Sequence, residues 1–280
     1  MEFLTLVTAI LFGLLSSSRL ITAQVVDDHA ILLEIAKEFS LSSWNVNQSD
    51  FCSWPGVGCS SNQSMVERLD LSRHGLQGNV TLISELRALK WLDLSSNNFH
   101  GSIPQAFGNL SLLEVLDLSF NKFESSVPVE LGRLKNLRSL NLSNNYLSGV
   151  IPDELEGLEK LQEFQIYTNR LNGSIPRWVG NLTNLRSFTA YENGLSGNIP
   201  DNLGSVSELQ LLNLHSNQLE GPVPESIFAM EKLEVLVLTQ NKLTGSIPPS
   251  VGNCKGLSSI RIGNNELIGN IPREIGNITG

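Results

Sequence analysis

The sequence predicts an α/β solenoid, a right-handed superhelix with a parallel concave sheet and a helical N-terminal cap. Two periodic columns support this prediction, because a proline that follows Ile or Val and an asparagine each recur every 24 residues. The prolines are Pro104, Pro128, Pro152, Pro176, Pro200, Pro224, Pro248 and Pro272. The asparagines are Asn97, Asn121, Asn145, Asn169, Asn193, Asn217, Asn241 and Asn265. A fixed period of this length is the signature of a repeat architecture, in which each unit packs only on its neighbours.

Residues 1–23, MEFLTLVTAILFGLLSSSRLITA, predict a secretory signal peptide. An apolar run from Leu4 to Leu15 is followed by small residues, and we expect cleavage near Ala23. The run lacks a preceding basic residue, and a membrane anchor is the alternative, although the run is short for a span. Because no later stretch reaches about 18 apolar residues, we expect no transmembrane helix in the rest of the chain.

Residues 24–64 predict a cap over the apolar end of the first repeat, which would otherwise face water. The segment DDHAILLEIAKEFSLSSWN has the pattern of an amphipathic helix that begins near Asp27 or Asp28. Cys52 and Cys59 follow in the short loop DFCSWPGVGC, where an oxidising compartment favours a disulfide. The third cysteine, Cys254, occupies a leucine column of the repeats, which favours a buried apolar role over a reactive thiol.

Residues 65–280 predict nine repeats of about 24 residues. Two leucines two positions apart, such as Leu116 and Leu118, share one face of a short strand. We expect the asparagine to bond backbone groups that a tight turn leaves unpaired, and the glycine and proline to direct the chain to the convex side. The ninth repeat ends at Gly280, so we expect no C-terminal cap and an exposed apolar end. A truncated chain is the favoured interpretation, and a partner that covers the end is the alternative.

The outward positions of the strands change character halfway along the repeats. Repeats two to four carry serine after the second strand leucine, whereas repeats five to seven carry Tyr167, Tyr191 and His215, which we expect to stack. Aromatic and apolar groups on a rigid concave sheet predict a binding site for an extended peptide, with ordinary variation of a solvated face as the alternative. The candidate residues are Glu163, Gln165, Tyr167, Thr189, Tyr191, Glu192, Leu211, Asn213, His215, Val235, Val237, Thr239, Gln240 and Arg261.

Eight Asn-X-Ser/Thr sequons in a chain with a signal peptide predict a glycoprotein. They begin at Asn47, Asn62, Asn79, Asn109, Asn141, Asn172, Asn181 and Asn277. Asn141 is predicted to point out from a concave strand, where a glycan would crowd repeats three to five. This position favours a ligand site further along the sheet.

Several kinds of chemistry are not expected. The formal net charge of −9 argues against nucleic acid, whose phosphates attract Lys and Arg. The four histidines lack metal-ligand spacing, and we interpret the column of Asp70, Asp93 and Asp117 as a solvated surface rather than a cation site. Since no phosphate-binding loop or nucleophile elbow is found, we predict a chain without catalytic residues, metal or cofactor.

The repeat unit LxxLxLxxNxLxGxIPxxLGxL resembles the plant extracellular subtype of the leucine-rich repeat. The cap helix, Trp44 and CSWPGVGC resemble the N-terminal cap of plant leucine-rich repeat receptors. Residues 27–280 together resemble the N-terminal part of the ectodomain of a plant leucine-rich repeat receptor-like kinase. Three segments are similar to one kinase of this family: FTAYEN (188–193), LLNLHSNQLEG (211–221) and LSSIRIGNNELIG (257–269).

This resemblance implies a position outside the cell, as a secreted chain or on the extracellular side of the plasma membrane. It also implies a secreted peptide or protein ligand, a leucine-rich repeat co-receptor, and a full-length protein with one membrane span and a kinase domain. Two other functions stay open. One is a secreted inhibitor of a wall-degrading enzyme, similar to the polygalacturonase-inhibiting proteins, and the other is a cell-wall interaction scaffold.

Overall fold

The computed structural model describes residues 27–278, and the predicted signal peptide at residues 1–23 lies outside this range. Helix α1 spans Asp28–Glu38, and the side chain of its N-cap residue Asp27 accepts a hydrogen bond from the His29 N–H at 3.3 Å. The apolar face of the helix, including Leu32 and Ile35, is buried in the same core as the repeats. Among the described residues, no helix has the length and apolar character needed to span a membrane.

The cap is closed by aromatic and disulfide contacts. The Trp44 and Trp54 rings lie 5.0 Å apart between centroids, and Trp44 Nε1 donates to the Pro55 carbonyl oxygen at 2.9 Å. Cys52 and Cys59 form a disulfide with their Cα atoms 5.7 Å apart. These contacts hold the loop that leads into the first strand of the solenoid.

The described strands are short, mostly three to five residues, and recur twice in most repeats. In chain order they are β1 (Val57–Cys59), β2 (Val66–Asp70), β3 (Trp91–Asp93), β4 (His100–Ser102), β5 (Val115–Asp117), β6 (Lys122–Ser125), β7 (Ser139–Asn141), β8 (Tyr146–Gly149), β9 (Glu163–Gln165), β10 (Arg170–Gly173), β11 (Ser187–Thr189), β12 (Gly194–Asn198), β13 (Leu211–Asn213), β14 (Gln218–Pro222), β15 (Val235–Val237), β16 (Lys242–Thr244) and β17 (Ser259–Arg261).

Two sheets run along the solenoid. The larger sheet has ten strands in the order β1-β2-β3-β5-β7-β9-β11-β13-β15-β17, and its cap strand β1 is antiparallel to β2 whereas the later strands are parallel. This sheet forms the expected concave surface. The second sheet has seven parallel strands in the order β16-β14-β12-β10-β8-β6-β4 and follows the first within each repeat. The sequence pattern did not predict this second sheet.

The chain returns from the second sheet through short 3-10 helices. They span Thr81–Glu85, Gln105–Asn109, Val129–Arg133, Asp153–Gly157, Arg177–Asn181, Asp201–Ser205, Glu225–Ala229, Pro249–Asn253 and Arg273–Asn277, with a further one in the cap at Phe51–Ser53. In most repeats the xIP proline comes directly before this helix and acts as its N-cap, with an extended backbone. The proline thus ends the second sheet and sets the direction of the return.

One continuous core fills the space between the sheets and the 3-10 helices. Leu116, Leu118 and Phe123 are completely buried and illustrate the columns that every repeat supplies. Cys254 is also completely buried, with Sγ 3.2 Å from the Met230 carbonyl oxygen, and burial raises the pKa of its thiol. At the far end Ile268 and Ile271 are 71% and 72% exposed, so the ninth repeat presents apolar surface.

The asparagine column forms a ladder of buried hydrogen bonds. Asn121 donates through Nδ2 to the carbonyl oxygens of Leu94 (2.9 Å) and Leu118 (3.2 Å), and its Oδ1 accepts from the Phe99 N–H (3.0 Å). Asn97, one repeat earlier, donates to the same Leu94 oxygen at 3.0 Å. Each asparagine therefore satisfies backbone groups of its own repeat and of the previous one, which confirms the predicted role of the column.

The residue before each ladder asparagine has a left-handed backbone, although none of these residues is glycine. The φ angles lie between 50° and 57° at Ser96, Phe120, Asn144, Thr168, Glu192, Ser216, Gln240 and Asn264. This conformation costs a non-glycine residue about 1 kcal/mol or more. It also turns the residue out of the strand, so this column adds a lateral rim to the concave surface.

Candidate ligand-binding surface

The candidate residues lie on β9, β11, β13, β15 and β17 and in the turns that follow these strands. Their register is regular, since Gln165, Thr189, Asn213, Val237 and Arg261 are aligned across consecutive strands. The row that begins at Glu163 and the row that begins at Tyr167 flank this central row two residues to either side. Because side chains alternate between the two faces of a strand, all three rows point away from the buried leucines.

Tyr167 and Tyr191 form the aromatic centre of this surface. Their rings stack with centroids 4.3 Å apart and an interplanar angle of 9°. Both side chains are half-buried, so part of each ring stays accessible. Burial, together with the neighbouring Tyr167 and the Glu192 carboxylate, raises the pKa of Tyr191 to about 12. Tyr191 is therefore neutral, and the pair is apolar on its faces and held in a fixed orientation.

The expected stack of three rings ends after two among the described residues. His215 Nδ1 lies 2.8 Å from Thr239 Oγ1 and 3.2 Å from the Thr239 carbonyl oxygen, so the imidazole is associated with the following repeat. A hydroxyl and a carbonyl offer this ring nitrogen polar partners that the face of Tyr191 does not offer. His215 therefore continues the row as a polar group.

Thr189 lies between Gln165 and Asn213 and is only 7% exposed. Its Oγ1 is buried and has no hydrogen-bond partner among the described residues. An unpartnered buried hydroxyl costs free energy, because its bonds to water are lost without replacement. This unsatisfied group is located in the same strand that leads to Tyr191.

Two exposed carboxylates border the tyrosine pair. Glu163 Oε2 accepts a hydrogen bond from Ser139 Oγ at 2.9 Å, and Glu192 Oε2 accepts one from Thr168 Oγ1 at 2.8 Å. Within residues 27–278 neither carboxylate forms an ion pair. Ser139 and Thr168 were not among the predicted residues. The signal that could have identified them is their position one repeat before each glutamate.

The remaining candidates extend the surface toward the ninth repeat. Leu211, Val235 and Val237 are half-buried and add apolar area, whereas Gln240 and Arg261 are exposed. The structure thus places the predicted residues on one continuous strip of sheet and its lateral rim. The strip contains an aromatic centre, an apolar extension and polar borders.

Comparison with known proteins identifies the family of this chain. The family described as "Leucine-rich repeat region" matches residues 41–198, and "Leucine Rich Repeat" units match residues 208–230 and 232–254. The chain belongs to the leucine-rich repeat family. The first match covers more than half of the sequence, and the repeat positions are those that form the two sheets.

The leucine-rich repeats are similar to those of plant receptors. The chain is 60% identical over 111 residues to the leucine-rich repeat receptor-like tyrosine-protein kinase PXC3 of Arabidopsis thaliana, a match that covers 40% of this chain and 12% of that protein. The ectodomain of the receptor kinase GASSHO1/SCHENGEN3 from Arabidopsis thaliana, in complex with CASPARIAN STRIP INTEGRITY FACTOR 2, has a TM-score of 0.85 and 36% identity. The structure of PEPR1-AtPEP1 has a TM-score of 0.80 and 34% identity.

The two structural matches cover most of this chain, but all three matches cover a minor part of the receptors. The two structural matches span 89% and 90% of this chain and 31% and 40% of the receptor chains. The predicted resemblance to plant leucine-rich repeat receptor-like kinases is confirmed. The described leucine-rich repeats thus correspond to a portion of such an ectodomain.

The N-terminal leucine-rich repeats present a different concave surface, in which the polar groups bond one another. Asp117 Oδ1 accepts from the Ser119 hydroxyl at 2.6 Å, and its Oδ2 accepts from Asn141 Nδ2 at 3.1 Å. Burial raises the pKa of Asp93, and the Asp117 and Asp70 carboxylates add to this shift. Among the described residues no His, Cys, Asp and Glu side chains form a group of three that could hold a metal ion.

The sequons differ in accessibility. Asn47, Asn62, Asn79, Asn109, Asn172, Asn181 and Asn277 are exposed, and Thr279 of the last sequon lies outside the described residues. Asn141 is half-buried, its Nδ2 donates to Asp117 and its Oδ1 accepts from the Ser143 hydroxyl at 2.7 Å. Ser143 is completely buried. The Asn141 amide is thus engaged in the polar network of the concave surface.

Proposed function

We propose that this chain is part of the extracellular ligand-binding module of a plant receptor-like kinase and holds a secreted peptide along repeats five to eight. The observation that supports this function most directly is the half-exposed, stacked pair of Tyr167 and Tyr191 on the concave sheet. An aromatic anchor on a rigid, concave surface with a polar border has the composition of a binding hot spot. Similar ectodomains have been solved with ligands, GASSHO1/SCHENGEN3 with CASPARIAN STRIP INTEGRITY FACTOR 2 and the plant peptide hormone receptor RGFR1 with RGF2.

The geometry suits an extended ligand more than a compact one. The candidate strip follows the solenoid axis, and a new set of outward side chains appears with each strand, about every 4.8 Å. An extended peptide advances about 3.3 Å per residue, so about three ligand residues span two repeats and the ligand can contact several repeats in turn. The tyrosine pair would anchor one ligand side chain, and Leu211, Val235 and Val237 would accept apolar groups further along. Glu192 and Gln240 would fix the ligand at the rim.

In this proposal the receptor would carry its membrane span and its kinase domain in sequence outside this chain, and the repeats would face the cell exterior. A co-receptor with leucine-rich repeats would join after the ligand. The neighbouring structure of HAESA, with a TM-score of 0.62 and 26% identity, contains the peptide hormone IDA and the co-receptor SERK1. This chain itself would bind rather than catalyse.

The test is retention of secreted peptides by the purified chain. Peptides from plant extracellular fluid are passed over the immobilised protein and identified by mass spectrometry, for the wild type and for Tyr191→Ala/His215→Ala. We expect a peptide that the wild type retains and the double variant loses. Tyr146→Ala is the matched control, because Tyr146 is exposed on the second sheet, away from the strip.

Two results would contradict the proposal. One is a set of retained peptides that does not change in the double variant. The other is inhibition of a fungal polygalacturonase by this chain at stoichiometric concentration, which would instead support the secreted inhibitor.

A further inference from the structure

We propose that the ligand places an arginine side chain against the open face of Tyr167, above Ser143. This inference rests on the proposed peptide-binding function and specifies the chemistry of one ligand residue. It begins with the shape of the row that contains Tyr167. Tyr191 covers one face of the Tyr167 ring at 4.3 Å between centroids.

The opposite face of the Tyr167 ring is bordered by small, buried side chains. Gln165 and Asn141 are paired across neighbouring strands, so Ser143 is the next member of the row before Tyr167. Ser143 is completely buried, and Ser119, one repeat further, is 3% exposed. Two small side chains in succession leave a slot about 10 Å long beside the ring, given the spacing of about 4.8 Å between strands.

Two other aromatic rings of this chain are each covered by an arginine guanidinium. The Arg68 guanidinium lies over the Trp91 ring at 4.2 Å, and the Arg170 guanidinium lies over the Tyr146 ring at 4.6 Å. Both distances are within the range of a favourable cation–π contact. Tyr167 is also half-exposed, but no Lys or Arg of the described chain lies over its ring. The missing guanidinium is the group that we assign to the ligand.

The side chains around the slot carry negative charge, which is complementary to a ligand arginine. Between Trp91 and Thr239 the outward rows of the concave strands carry the carboxylates of Asp93, Asp117 and Glu163 and contain no Lys or Arg. None of these carboxylates forms an ion pair within residues 27–278. Their hydrogen bonds come from neutral groups, such as the Asn141 amide on Asp117. A cation is therefore attracted to this segment of the groove.

Arginine fits better than lysine for a geometric reason. A guanidinium is planar, so it can stack on the ring while its edge N–H groups donate to a carboxylate. Asp117 is the nearest acidic member of the adjacent row on the open side of Tyr167. The unpartnered Thr189 Oγ1 lies on the other side of the pair and is a further polar group of this site that lacks a partner among the described residues.

The experiment selects ligands without a prior candidate. A random ten-residue peptide library is displayed against the immobilised chain, and binders are kept only if Tyr191→Ala abolishes their binding. We expect arginine at one common position of these binders. Replacing that arginine by citrulline, which keeps the shape and removes the charge, should weaken binding about 5- to 10-fold.

Variants of the protein locate the contact. Tyr167→Leu and Asp117→Asn should each reduce the ratio between the arginine and citrulline peptides toward one, whereas Tyr146→Leu should leave it unchanged. Circular dichroism of each variant checks the fold. Binders that need Tyr191 but tolerate citrulline would overturn this inference and leave the proposed function standing. If no binder depends on Tyr191, both are wrong.

Discussion

The ladder of asparagines gives a sharp test of what stabilises the solenoid. In Asn121→Ala the buried Phe99 N–H loses the acceptor that it has at 3.0 Å. Two of the carbonyl oxygens that accept hydrogen bonds from Asn121 keep another donor in this variant. The Leu94 oxygen keeps Asn97 Nδ2 at 3.0 Å, and the Leu118 oxygen keeps Asn145 Nδ2 at 3.0 Å. With one unsatisfied donor and several weakened acceptors, we expect the free energy of unfolding to fall by about 2–4 kcal/mol.

Asn121→Asp should be worse than alanine, although it is nearly isosteric. The introduced carboxylate keeps an acceptor for the Phe99 N–H but brings a negative charge against three carbonyl oxygens that now receive 2.9, 3.2 and 3.1 Å bonds. Burial and these oxygens would raise the pKa of the introduced carboxyl group in the folded variant above its value in the unfolded chain. The variant should therefore be less destabilised at acidic pH and lose stability as the pH rises through that folded-state pKa.

Urea denaturation of the wild type and both variants at pH 7 and pH 5 measures these differences. Asn98→Ala is the control, because Asn98 is exposed in the turn of the preceding repeat, directly before Phe99, and we expect a change within about 0.5 kcal/mol. An aspartate variant that equals or exceeds the alanine variant in stability at pH 7 would refute the reasoning. So would an alanine variant as stable as the control.

Three further predictions concern other parts of the chain. Because its pKa is about 12, Tyr191 should ionise later than an ordinary tyrosine when absorbance at 295 nm is followed against pH, and Tyr167→Ala should move this step toward the ordinary tyrosine pKa of 10.0. Stability should correspondingly fall as the pH rises from about 10 toward 12, where the unfolded chain ionises first. Gly132→Ala should cost about 1–3 kcal/mol in urea denaturation, since its Cβ would overlap the Glu154 carbonyl oxygen, whereas Gly263→Ala meets no atom within 4 Å and should be neutral. Glycopeptide mapping of the secreted protein should find Asn141 unmodified, because its amide is bonded to a neighbouring carboxylate.

The repeat period predicted the elements whose side chains face the core. Leu116, Leu118 and Asn121 recur because every repeat buries the same leucine positions and bonds its asparagine to a carbonyl oxygen of the previous repeat, so the 24-residue period already reflects the contacts of the core. The second sheet escaped prediction for a related reason. Its strands, such as Arg170–Gly173, contain glycine and polar residues and lack a strand-like pattern. They become strands only because neighbouring repeats align their backbones.

The sequence could predict the row of outward side chains to which each candidate residue belongs. It could not predict the contacts that these side chains make. The change from serine in the earlier repeats to tyrosine at position 167 is visible in the sequence, and so is the row of outward side chains to which Tyr167 belongs. The orientation of His215 toward Thr239 depends on hydrogen-bond geometry, which residue types alone do not determine. The same is true of the left-handed turn at Thr168, since eight repeats place six different residue types at this position.

The stacked tyrosines show why a solenoid is an effective frame for ligand recognition. Ile166 and Ala190 come directly before Tyr167 and Tyr191 on the inward side of the chain, and both are buried and fixed by their neighbours. The rings of Tyr167 and Tyr191 then restrain each other, so a ligand does not need to order them on binding. Since the loss of side-chain freedom opposes association, a surface that is already ordered binds more tightly for the same contacts. The regular inward columns therefore contribute to recognition through the rigidity that they give to the few outward residues that vary.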